Sequence, residues 1–241
     1  MSEMKDYSGP FKPDLKWEDF SKDILGEYVR EVSKIYVLMG GIWFGYLRER
    51  FSAQRADELH MELWETLGNK HEFNRARAAM SICGRDVESF LKFAQIDPGI
   101  GMIFDIDCEL KNKIHGILTI KMCTALSFAE RHRDTQIQEN GCGIDVWAIP
   151  KVVRSLHPDM VAIPLKLPPR RSPDEPACIW EIKMDPTHPS ITNPELPEYA
   201  LWRWQRLSGT GHCSHSQPAP RITAIEKKDI TWKRCKTTAG H

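Results

Sequence analysis

The feature that most constrains this chain is a change of hydrophobic period near residue 100. Before it, apolar residues return every three to four positions: Trp17, Phe20, Ile24 and Tyr28, then Ile35, Leu38, Ile42 and Tyr46. That spacing predicts helices. Ala56, Leu59, Leu63 and Leu67 make the next stripe, followed by Phe73, Ala76 and Met80, and by Val87, Phe90, Leu91 and Ala94. After Asp97-Pro98-Gly99, a turn, the period drops to two. Met102, Phe104, Ile106, Cys108 and Leu110 alternate with Ile103, Asp105, Asp107 and Glu109. A return strand carries Leu118, Ile120 and Met122 on one face and His115, Thr119, Lys121 and Cys123 on the other.

Two further strands are expected at Val161–Leu167 and Ala177–Met184. The second places Cys178, Trp180, Ile182 and Met184 on one face and Glu181 on the other. Pro164 consigns its strand to an edge or a bulge, because proline has no N–H for the ladder. Between the two pairs, Thr124 to about Arg133 reads as helix, Asp134–Gly141 as loop, and Gly143–Ser155 as helix. The fold class is therefore α+β. A helical N-terminal half precedes an antiparallel sheet of about four strands with helices on one face. Asp14 is the expected cap of the first helix and Gly26 a point where it divides. Gly40-Gly41 in mid-helix implies a close neighbour, since glycine there costs about 1 kcal/mol relative to alanine.

Three segments follow: an N-terminal arm over 1–14, a core over 15–185, and a proline-rich tail over 186–241. The tail has the composition of irregular chain. It holds one aromatic island, Tyr199, Leu201, Trp202 and Trp204, suited to docking on the core or on a partner. His212-Cys213-Ser214-His215 in the same tail has the look of a metal cluster but lacks a fourth ligand at usual spacing.

Lys and Arg together number 33, as do Asp and Glu, so the net charge is zero. That balance argues against a nucleic-acid partner, which calls for a basic surplus on one face. The apolar run Ile35–Leu47 is too short to span a bilayer and is broken by glycines, so no membrane partner is expected. The first residues, Met1-Ser2-Glu3-Met4-Lys5-Asp6, lack a secretory pattern, which points to the cytoplasm. Seven cysteines, an odd and irregular set, read there as free thiols rather than a disulfide framework.

Cys142 is the sharpest chemical candidate. Placed between Gly141 and Gly143 at an expected helix start, its thiol would be driven toward thiolate by the helix dipole. Asp145, three positions on, suits a cap or a general base. Cys123, Cys178 and Trp180 are candidate pocket residues. Glu181 is a candidate acid or base, and His115 shares the polar face of the hairpin. Arg170, in the stiff Pro168-Pro169-Arg170-Arg171 loop, suits a carboxylate ligand. No cofactor is required, although Cys123, Cys142 and Cys178 together offer ligands to zinc or another transition metal.

The ordered motifs Gly41-Ile42-Trp43-Phe44, Leu63-Trp64-Glu65-Thr66-Leu67-Gly68, Cys123-Thr124-Ala125-Leu126, Gly141-Cys142-Gly143-Ile144-Asp145, His157-Pro158-Asp159-Met160-Val161, Leu165–Arg170 and Ala177-Cys178-Ile179-Trp180-Glu181 resemble a bacterial and archaeal family. That family is itself distantly similar to the L-2-amino-thiazoline-4-carboxylic acid hydrolases. The resemblance spans about residues 15–185. It implies hydrolytic opening of a C–N or C=N bond in a small heterocycle. The leading reading is therefore a small-molecule hydrolase for a small polar heterocycle, in which Cys142 acts as nucleophile or electrostatic anchor. The alternative is a non-catalytic protein that holds a small ligand or metal in a cysteine- and tryptophan-lined pocket. A homo-oligomer fits either reading.

Overall fold

The computed structural model describes residues 3–64, 68, 71–133 and 135–187. Among these residues six α-helices and four strands run in the order α1 Lys22–Arg50, α2 Ala53–Trp64, α3 Phe73–Ala79, α4 Val87–Ile96, β1 Asp105–Asn112, β2 His115–Met122, α5 Thr124–His132, α6 Thr135–Leu156, β3 Met160–Lys166 and β4 Cys178–Met184. The architecture is the expected α+β one, with the helical half first. From residue 188 onward the proline-rich tail, with its aromatic island and the His212–His215 cluster, lies outside the described residues.

Helix α1 is continuous through Gly26, contrary to the expected division. A lone glycine weakens a helix by about 1 kcal/mol but still donates its N–H, so the ladder is not cut. The cap is Ser21, whose Oγ accepts from the Ile24 N–H, rather than Asp14. The arm before it is pinned by backbone bonds from Met4 N–H to Asp19 O and from Ser21 N–H to Met4 O, each 2.8 Å. Gly40 has the expected close neighbour: a Cβ there would lie 2.9 Å from Cζ2 of Trp64 on α2. The opposite side of α1 leaves Ile35, Leu38, Met39, Ile42, Trp43 and Tyr46 at least half exposed.

The sheet is fully antiparallel in the order β1-β2-β4-β3. Pro164 lies on the edge strand β3, beside a register shift between Pro164 and Lys166, so both expectations for it hold. The β1–β2 turn falls at Lys113-Ile114. β1 begins later than alternation suggests. The segment before it is a run of turns closed by the Met102 N–H to Asp97 O and Phe104 N–H to Ile100 O bonds.

Helices α4 and α6 cover one face of the sheet. Leu118, Ile120, Trp180, Ile182 and Met160 point into that core and meet Phe90, Val146, Val153 and Leu156. Helix α4 is capped by Asp86, which accepts from the Ser89 N–H at 3.0 Å. It packs so closely on β2 that a Cβ at Gly116 would lie 2.8 Å from Leu91 Cδ1. No described helix is long and apolar enough to cross a membrane.

The largest departure from expectation is α6. It starts at Thr135, inside the segment expected to be loop, and runs through both glycines at 141 and 143. Burial of Val146, Ile149 and Val153 against the sheet offsets the propensity cost of the glycines.

Candidate functional site

Between α1, α2, α4, the start of α5 and α6 lies a cavity of about 290 Å³. Its wall is mostly apolar, with Phe44, Trp64, Phe90, Phe93 and Phe104 prominent. Two polar clusters and one isolated carboxyl interrupt it.

The first cluster is a pair of acids. Glu72, just ahead of α3, and Asp97, at the C-terminal end of α4, both line the cavity. The Tyr36 hydroxyl donates to Glu72 Oε2 at 2.7 Å, and the Gly99 N–H donates to Asp97 Oδ1 at 2.8 Å. Burial raises the pKa of both carboxyls, and for Asp97 the neighbouring Glu72 charge adds to it. The negative end of the α4 dipole acts in the same direction. Two carboxyls so close cannot both ionise, so the pair holds a proton. The two carboxyls also hydrogen-bond to one another, which lowers Glu72 and raises Asp97, and Glu72 Oε1 is buried.

The second cluster is aromatic. Trp64 Nε1–H donates to His60 Nε2 at 2.7 Å, which assigns that nitrogen as an acceptor. His60 stacks on Phe44 with ring centroids 4.4 Å apart.

The isolated carboxyl is Asp145. No hydrogen bond reaches it among the described residues, and burial alone pushes its pKa up to about 7. Cys142 sits one helical turn earlier on α6 and lines the same cavity. Both residues that the sequence singles out thus line one cavity, but the premise for an activated thiol is overturned. Cys142 is well inside α6, where backbone N–H groups are already used and the dipole of the first turn no longer acts.

The remaining candidates divide. Cys123 does reach the cavity, because the chain leaves β2 at Met122 and turns, so strand alternation no longer applies. Its Sγ caps α5 by accepting from the Leu126 N–H at 3.4 Å. Burial pushes its thiol up to about 11, so it stands protonated. Cys178 and Trp180 point into the core rather than the cavity. Trp180 is fully buried and its Nε1–H donates to Cys178 Sγ at 3.3 Å.

Glu181 and His115 lie on the opposite face of the sheet from the helices. His115 Nε2 is 3.0 Å from Glu181 Oε1, and Lys183 Nζ is 3.3 Å from Oε2. The sheet itself separates that trio from the cavity, because β4 turns Cys178, Trp180 and Ile182 inward and Glu181 outward. Among the described residues no group of three His, Cys, Asp or Glu side chains is placed to hold a metal ion, and Cys123, Cys142 and Cys178 form no such set.

Arg170 is committed elsewhere. Its Nε and Nη2 donate to the two carboxylate oxygens of Glu130 on α5 at 2.8 and 2.7 Å, and Nη1 donates to Pro173 O at 3.0 Å. The guanidinium clamps the β3–β4 loop onto α5 and is not directed at a ligand. Arg170→Ala should cost about 2 kcal/mol of stability, less than for a fully buried pair because Glu130 is partly exposed. Arg170→Lys should cost less, keeping the charge but losing the fork. Urea unfolding checks both; an Arg170→Ala variant as stable as the parent sinks the clamp.

Sequence reasoning missed Glu72, Asp97, His60 and Trp64 as site residues. Asp97-Pro98-Gly99 has the pattern of any surface turn, and Glu72 that of any helix-flanking acid. Only their distance from water in the fold distinguishes them. No protein-family model matches the chain, and no curated protein or solved structure matches it either.

Proposed function

We propose that the cavity is the active site of a small-molecule hydrolase that opens a C–N or C=N bond. The observation that carries this reading is Asp145: a carboxyl in an apolar cavity, without a hydrogen bond among the described residues and with its pKa pushed up by burial to about 7. A general base works best when its pKa lies near the operating pH. In the proposed step Asp145 takes a proton from water as the water oxygen bonds to the substrate carbon. The proton held by the Glu72–Asp97 pair goes to the departing nitrogen as the C–N bond breaks. A neutral acid and an ionised base in one enclosure are what such a reaction needs. Cys142 contributes a thiol wall one turn from the base. The substrate is a small compound with an apolar body.

The apolar wall also suits a non-catalytic binding protein. One experiment separates the two. The protein is incubated with a panel of small cyclic amides, ureas and amidines between pH 5.5 and 8.5, and ring-opened product is followed by mass spectrometry. The hydrolase reading expects turnover that rises with pH through about 7 and falls by 100-fold or so in Asp145→Asn, the usual scale for a general base. Turnover unchanged in that variant overturns it, and binding without turnover favours the second reading.

A further inference from the structure

The acids that line the cavity come from three separate segments: Glu72 before α3, Asp97 after α4 and Asp145 within α6. They are not equally used. Glu72 and Asp97 hydrogen-bond to one another, whereas no hydrogen bond reaches the Asp145 carboxyl among the described residues. The Asp145 oxygens are acceptors awaiting a donor. Among the described residues neither lysine nor arginine lines the cavity.

A carboxylate left in such a place is costly, and a ligand that supplies both donors and positive charge removes the cost. A ligand with its own carboxylate would add to it. The rest of the wall presents aromatic rings, including Phe44, Trp64 and Phe93. Aromatic faces attract a delocalised cation and accept a flat apolar body equally well.

We propose that the cavity takes a small organic cation, a protonated amidine carried on an apolar body. One N–H faces one Asp145 oxygen and leaves the other oxygen to the attacking water, the second nitrogen lies beside the Glu72–Asp97 pair, and the body lies against the aromatic wall. A charge-assisted N–H to carboxylate bond is roughly twice as strong as a neutral one. This inference rests on the cavity being the active site and names the class of substrate the proposed hydrolase takes. An amidinium also offers that chemistry its C=N carbon, already electron-poor.

The test uses three flat probes of nearly one shape on the full chain at pH 8: benzamidine as cation, benzamide as neutral isostere and benzoate as anion. Titration calorimetry reads affinity. Benzamidine should bind at least about tenfold more tightly than either analogue, the scale of one charge-assisted pair. Asp145→Asn should weaken benzamidine by at least about tenfold and leave benzamide within about threefold. Glu72→Gln, which keeps an acceptor for Tyr36, should weaken benzamidine by a smaller factor. Circular dichroism confirms that both variants are folded.

Benzamide or benzoate binding as tightly as benzamidine overturns the proposal while leaving the hydrolase reading intact. Benzamidine affinity unchanged in both variants also overturns it, by placing the cation elsewhere. If none of the three probes binds, the cation proposal falls; the turnover panel, with its own substrates, decides the hydrolase reading separately.

Discussion

Asp145→Asn will be more stable than the parent chain at pH 8, and the two will converge near pH 4. In the folded protein the Asp145 carboxyl titrates near 7, against an ordinary value of 3.8. Between those limits the folded chain holds a proton that the unfolded chain releases. Folded stability is therefore complete below about pH 4, falls as pH rises to about 7, and is level above that. A shift of this size corresponds to roughly 4 kcal/mol at most. The carboxyl opens on a cavity that water can enter, so the realised loss is nearer half of that, about 2 kcal/mol. Asparagine has nearly the same shape, and its amide lacks a partner just as the protonated acid does. The substitution thus removes the penalty of the charge alone. Urea unfolding at pH 4.5 and pH 8 measures it. Any slope that persists in the variant over this range includes Glu72 and Asp97, whose raised values have the same sign. A variant less stable than the parent at pH 8 would show that the carboxylate is paired after all. The same substitution removes the proposed base, so greater stability and lost turnover should appear together, as is common where a fold carries a functional site at a cost.

Trp180→Ala should have the largest destabilising effect, about 3–5 kcal/mol, the range for truncating a buried indole or phenyl ring. Trp180 stands at the centre of the sheet, opposite Leu118 on β2 and Pro164 on β3, with none of its surface exposed. Its removal opens a void beneath α4 and α6 and leaves Cys178 Sγ without its donor. Trp180→Phe retains most of the volume and should cost less. Because Trp180 faces the core and not the cavity, benzamidine affinity should survive in whatever fraction remains folded. Lost affinity with unchanged stability would place the ring in the ligand site and refute the packing account.

These two residues show how far local pattern reaches. Period-two alternation turns Cys178, Trp180 and Ile182 one way and Glu181 the other, and the structure agrees. What alternation does not say is which face meets helices and which lies behind the sheet. Glu181, a candidate acid or base, and His115, on the polar face of the hairpin, pair with each other on the far face. Cys123 was assigned to the polar face by the same counting. It escapes because the strand ends one residue before it, and strand ends are among the least determined features of a sequence. Cys142 was misplaced for a related reason. Gly141 and Gly143 have the appearance of a helix boundary, but tertiary packing of α6 carries the helix across them.

By itself the sequence determined the class of fold, the order of helices and strands, the edge or bulge position of Pro164 and a tight contact at Gly40-Gly41. All of these follow from spacing along the chain, which short-range geometry converts directly into faces and neighbours. The tertiary structure alone decided that Asp145 is buried with no hydrogen bond among the described residues, that Glu72 and Asp97 meet across a separation of many residues, and that Arg170 is spent on Glu130. Those are matters of distance from water and from other charges. A carboxyl's pKa and the use of a guanidinium depend on what the folded chain brings beside them, and no local pattern carries that.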